Sequence, residues 1–65
     1  MDLGLSLKIA LAKNKKSQAQ LADDLGLKRQ AVNRWATTGS MTKDTIEVLA
    51  NYFDMKPSEF VSLGE

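Results

Sequence analysis

Between Lys28 and Ser40 the segment KRQAVNRWATTGS carries three cationic side chains (Lys28, Arg29 and Arg34), two amides (Gln30 and Asn33) and no acid. All five side chains are hydrogen-bond donors, and the two amides are acceptors as well. Residues 28–43 sum to +4, against +1 for residues 1–27 and −4 for residues 44–65, so the net charge of +1 conceals a strongly uneven distribution. A stretch that excludes acid is a local electrostatic footprint for a polyanion. The plain alternative is a solvated helix face, and charge by itself leaves both readings open.

Other chemistry has little to work with. The chain has no Cys and no His. That excludes a disulfide framework, thiolate metal sites, the common zinc ligand sets, a Ser-His-Asp triad and imidazole acid–base catalysis. Asp23 and Asp24 are adjacent, so a helix turns them about 100° apart and they cannot work as a carboxylate pair. Asp44 and Glu47 are close enough to pair, but the positive end of a helix dipole accounts for them more simply. An enzyme is not expected, and neither is a cofactor, a metal or a small-molecule ligand.

At 65 residues the chain is expected to form one domain over 1–65, with every large apolar side chain committed to a single core, because a domain this small buries only about 60% of its unfolded surface. The opening MDLGLSLKIALAK lacks the basic start of a signal peptide, and Ser6 and Lys8 interrupt its apolar residues, so it reads as part of the fold. No run approaches the length needed to span a bilayer. The expectation is a soluble, cytoplasmic protein with no membrane contact.

The elements that must position the basic segment follow from periodicity and caps. Leu3, Leu7, Ala10 and Leu11, with Leu5, Ile9 and Ala12 alongside, predict a first helix over about residues 2–13. Ser17 and Gln20 form a capping-box pattern that starts a second helix, and Gly26 directly after Leu25 suits the left-handed position that ends it. Leu27 is expected to turn inward. Lys28 then opens a third short helix, in which Ala31, Val32 and Trp35 define the apolar side and Arg29, Gln30, Asn33 and Arg34 the polar one. Thr37 to Ser40 reads as loop. Thr42 is the expected cap of a fourth helix buried through Ile46, Leu49, Ala50 and Phe53, and Pro57 the first residue of a fifth. The fold class is all-α, with five short helices.

Two short helices joined by three or four residues around a Gly must cross steeply, which is helix-turn-helix geometry. The segment QAQLADDLGLKRQAVNRW, residues 18–35, resembles the helix-turn-helix of the phage Cro and CI repressor family. A small residue, Ala22, stands in the middle of the first helix; Gly26 stands in the turn; Leu21, Leu25, Leu27, Val32 and Trp35 stand at the apolar positions that lock the pair to the core. Flanking helices extend the resemblance over roughly residues 3–63, and its length makes the chain most like a small Cro repressor.

The resemblance implies that helix 3 enters the major groove of double-stranded DNA, with Lys28, Arg29, Gln30, Asn33 and Arg34 against base edges. Their chemistry suits the task, since Arg and Lys donate to guanine and Gln and Asn pair with adenine. It also implies phosphate contacts from Ser17 and Gln18 at the start of helix 2, and from Thr38, Ser40, Thr42 and Lys43 after helix 3. For Ser17 a plain N-cap is the competing role, and both can hold. Lys13, Lys15 and Lys16 are better explained by a helix C-terminus and a solvated loop. Trp35 belongs to the core side, and Met41 and Met55 are gap fillers or interface residues.

Many repressors of this group carry a basic arm or a separate dimerisation domain, and neither is evident here. The loop after helix 3 holds few cations, which implies few phosphate contacts and a shallow salt dependence. One motif reads few base pairs, so useful specificity implies a homodimer on a palindromic operator. The expected interface is the C-terminal segment, through Met55, Phe60, Val61 and Leu63, with closure of the core as the competing role. A patch this small gives a weak dimer. The expected protein is a transcriptional regulator of the repressor kind. A reading from another class is a protein-interaction module, such as an antitoxin, built on the same fold.

Overall fold

A computed structural model describes residues 2–65 and contains five α-helices with no strand among them: α1 Leu3–Lys13, α2 Gln18–Leu25, α3 Arg29–Thr38, α4 Lys43–Tyr52 and α5 Pro57–Ser62. The elements fall where caps and period place them. Asp2 caps α1 by accepting from the Leu5 N–H at 3.0 Å, and Ser17 caps α2 by accepting from Gln20 N–H at 3.0 Å. Thr42 does the same for α4 through Thr45 N–H at 3.2 Å. Pro57 takes the first position of α5, where its missing N–H has no partner to lose.

Two local expectations are corrected. Gln20 does not reach back to complete the capping box; its side chain donates forward to Asp24 Oδ1 at 2.7 Å instead. Thr37 and Thr38 are not loop but the last turn of α3. The hydroxyl of Thr38 donates to the Arg34 carbonyl at 2.8 Å and accepts from Ser40 N–H at 3.1 Å. That bonding supports a helix end which composition alone assigns to a turn.

Each helix sends side chains to one core. Leu7, Leu21, Val32, Leu49 and Phe60 are fully buried, one from each of α1 to α5. The Phe53 and Phe60 rings stack 6.3 Å apart, and Tyr52 meets Phe53 edge-on at 5.0 Å. Helix α1 is the spine, packing on both α3 and α5. Its approach to α3 is close enough to require glycine, since a Cβ on Gly4 would sit 2.6 Å from the Ala36 carbonyl oxygen. Ser6, the buried polar side chain of this helix, donates to the Val61 carbonyl at 3.1 Å and ties α1 to α5.

Packing also corrects two placements. Phe60, expected at a dimer contact, is fully buried. A small domain commits its large apolar side chains to the core, and Phe60, the largest of those fully buried, has no surface to offer a second copy. Leu27, expected inward, is 39% exposed. It lies between the left-handed Gly26 and the extended Lys28, where the chain turns outward around the corner of the motif. No helix among the described residues is long and apolar enough to cross a membrane.

Candidate nucleic-acid interface

The corner between α2 and α3 is built by backbone chemistry. Gly26 adopts φ 66° and ψ 33°, a left-handed conformation that glycine enters without a Cβ clash. It lets Leu27 N–H close on the Ala22 carbonyl at 2.7 Å, so α2 ends with its last carbonyls satisfied. Lys28 is then extended and α3 begins at Arg29. Only three residues separate the two helices.

Helix α3 is held from one side and open on the other. Val32 and Ala36, one turn apart, are buried, with Ala31 and Trp35 half-buried beside them. Arg29, Gln30, Asn33 and Arg34 are all exposed, as is Lys28 at the cap. The helical period spreads the four exposed side chains over one side of α3, from Arg29 at the edge of the buried Val32 and Ala36 stripe round to Gln30 and Arg34 opposite Val32. Every residue expected to read bases is therefore exposed, on or just before a helix that carries no acid of its own.

The expected phosphate-contacting residues are distributed around that surface. Ser17 and Gln18 stand at the start of α2, where unpaired N–H groups and the helix dipole favour an anion. The hydroxyl of Ser17 is engaged as the cap. The Gln18 side chain crosses to α3, its Oε1 accepting from Asn33 Nδ2 at 3.4 Å. Thr38 closes α3 and Ser40 is exposed just beyond it. Thr42 caps α4, its hydroxyl also 3.0 Å from that of Thr45, and Lys43 is the exposed first residue of the helix.

A polar cluster that spacing does not disclose braces α2 from behind. Tyr52 of α4 donates its hydroxyl to Asp24 Oδ2, Gln20 donates to the other carboxylate oxygen, and Lys16 lies 3.9 Å away. The Tyr52 hydrogen bond, then that of Gln20, hold the Asp24 carboxyl below its ordinary value, with the Lys16 charge adding to them. The same bond to Asp24 pushes the Tyr52 phenol from 10.0 up to about 12. Both shifts state one preference, for phenol beside carboxylate. The Tyr52 pKa is raised on folding, so its contribution to stability is complete below pH 10.0 and lost as pH climbs toward about 12. The Asp24 pKa is lowered, so its contribution holds above 3.8 and is lost as pH falls through the folded value. Tyr52 is the single tyrosine of the chain, so an ultraviolet absorbance titration reads it alone. The midpoint is expected near 12, and Asp24→Asn is expected to return it toward 10.0.

Among the described residues no group of three or more His, Cys, Asp or Glu is gathered for a metal ion. Beside the corner, Leu27, Trp35 and Val48 line a shallow apolar groove with Asp44 and Thr45. Trp35 is thus core on one side and groove wall on the other.

A short capped helix, a glycine corner and a second helix with an open donor-rich face define a helix-turn-helix domain of the DNA-binding class. The chain belongs to the Cro/C1-type HTH DNA-binding domain family, whose model matches residues 6–64. Comparison with curated proteins and with solved structures returned no significant match.

Proposed function

We propose that this DNA-binding domain is a sequence-specific transcriptional repressor of the Cro kind, acting in the cytoplasm by occupying an operator and excluding polymerase. The observation that carries the reading is the exposed face of α3, where Arg29, Gln30, Asn33 and Arg34 stand together without an acid. Lys28, Arg29, Gln30, Asn33 and Arg34 read base edges in the major groove, while Ser17, Gln18, Thr38, Ser40, Thr42 and Lys43 grip phosphates on either side. Neither a cofactor nor a small-molecule ligand takes part.

Specificity over more than a few base pairs needs two copies on a palindrome, with half-sites about one helical turn apart. In our reading the copies meet weakly through the half-buried Met55, Val61 and Leu63. Met55 and Leu63 rest partly on the core, so the surface offered is small, and the dimer forms mainly on DNA. Changing Val61 and Leu63 together to Ser should reduce cooperative binding to a two-half-site duplex by roughly tenfold while leaving a single half-site bound as before. Equal loss on both duplexes, with lost helicity, would place the two residues in the core instead.

The groove of Leu27, Trp35 and Val48 favours a second reading, in which the fold binds a partner protein as an antitoxin does. Anisotropy titrations of a labelled duplex across salt concentrations separate the two. A regulator gives binding whose logarithm falls linearly with log salt, about 0.9 per phosphate neutralised. Absence of binding at low salt would favour the interaction module.

A further inference from the structure

Among the described residues the large apolar side chains left exposed are Leu5 at 42%, Leu27 at 39% and Val48 at 50%. Scattered singly, such residues are ordinary, but these fall on two faces only. Leu27 and Val48 share the groove beside Trp35, and Leu5 lies on α1. We propose that the groove is the docking site for the α1 face of a second copy of this chain. The contact concerns the protein without DNA and does not rest on the operator reading.

The α1 face is apolar at its centre and basic at its edges. Ala12, Leu5 and Ile9 fall within about 60° around the helix axis, with Lys8 and Lys13 about 40° beyond them on either side. Ile9 is half-buried and the other four are exposed. Residues 3–22 carry four Lys and no acid. The groove has the opposite sign. Asp44 and Glu47 are exposed beside Val48 on α4, and residues 44–55 carry three acids and no cation. Lys43 points about 140° away from Val48 around the same helix.

Each face offers what the other lacks. Leu5 and Ile9 bring aliphatic side chains to a groove walled by an indole ring, a group that anchors interfaces. Lys8 and Lys13 then meet Asp44 and Glu47 across the rim. Docking groove to groove, or α1 to α1, brings like charges together instead, and like-charge juxtaposition suppresses wrong partners. The contact therefore joins two different patches, a heterologous arrangement in which a docked pair retains one free face of each kind. A patch this small gives weak association, separate from the contact assigned to Met55, Val61 and Leu63.

The test is an amide correlation spectrum of the isotope-labelled full chain, recorded without DNA and diluted from about 2 mM to about 50 µM. Concentration-dependent shifts are expected on both faces together, at Leu5, Lys8 and Ile9 and at Val48 and the indole of Trp35, the single tryptophan. Lys8→Glu and Glu47→Lys, both at exposed positions, should each weaken association by at least about threefold. An equimolar mixture of the two variants should regain it, because the reversed α1 face of one then meets the reversed groove of the other. Circular dichroism verifies that both are folded, and the dilution map of the unaltered chain needs neither. Absence of shifts across the series overturns the proposal. Shifts confined to Met55, Val61 and Leu63 overturn it in favour of that contact alone, and shifts in the groove without α1 overturn it in favour of another occupant. A mixture that associates no more tightly than its components overturns the pairing of α1 with the groove.

Discussion

Phe60→Ala is expected to destabilise the domain by about 3–5 kcal/mol. The side chain is fully buried, stacked on Phe53, and surrounded by the α1, α4 and α5 contributions to the core. Removing the ring leaves a cavity that close-packed neighbours fill only in part, so the lost transfer free energy and the cavity term add. A domain of 65 residues has a total stability of roughly 3–10 kcal/mol. The variant should accordingly be largely unfolded near physiological temperature, and urea titration followed by circular dichroism would read this directly. A loss below about 1 kcal/mol would mean that Phe60 does not close the core. The contrast with Val61 and Leu63 is informative, because these neighbours are only half-buried. Their substitution is expected to act on association before it acts on folding.

The second large effect falls on function with the fold intact. Arg29 is the first residue of α3, exposed, and free of any acid on its own helix. Its truncation should lower operator affinity by about 1–3 kcal/mol and relax preference at one base pair per half-site, since a bidentate fork to guanine has no substitute from Ala. Lys43→Ala provides the control. It removes a point charge at the start of α4 and should weaken all sequences alike, lowering the salt slope by about one. If Arg29→Ala behaved like Lys43→Ala, with preference untouched, Arg29 would be a phosphate contact and not a reader.

The motif was legible in the sequence because its requirements are local. Ser17 caps whatever helix follows it, Gly26 tolerates a left-handed turn that other residues resist, and the spacing of Ala31, Val32 and Trp35 indicates which side of α3 is buried. The exposed face of α3 follows as the remainder. What escaped was decided by partners remote in the chain or by competition between two local bonds. Gln20 could turn back to its cap or forward to Asp24, and the carboxylate, already gathered toward Tyr52 from 28 positions away, won. Thr37 and Thr38 look like loop by composition, yet the Thr38 hydroxyl bonds within its own helix and extends it to Gly39. Leu27 is apolar and was expected inward, but the turn that makes the corner points it out toward Val48 and Trp35. Phe60 illustrates the same limit for the interface: an apolar residue near a terminus fits a core or a partner equally well until the packing of α1 against α5 decides between them.

The corner also explains how few residues suffice for the site. Three residues turn the chain between α2 and α3, the core holds α3 by Val32 and Ala36, and Tyr52 braces α2 through Asp24. The side chains proposed to read bases are all exposed and take no part in the buried core. In the proposed reading, affinity comes from phosphates and selectivity from a handful of amides and guanidinium groups.

The most direct test of the central claim is selection of bound duplexes from a random library at two salt concentrations. A short palindrome with half-sites about one helical turn apart, recovered at both, is the expected result and would supply the operator. Salt-sensitive capture with no common sequence, or no capture at all, would contradict a sequence-specific repressor.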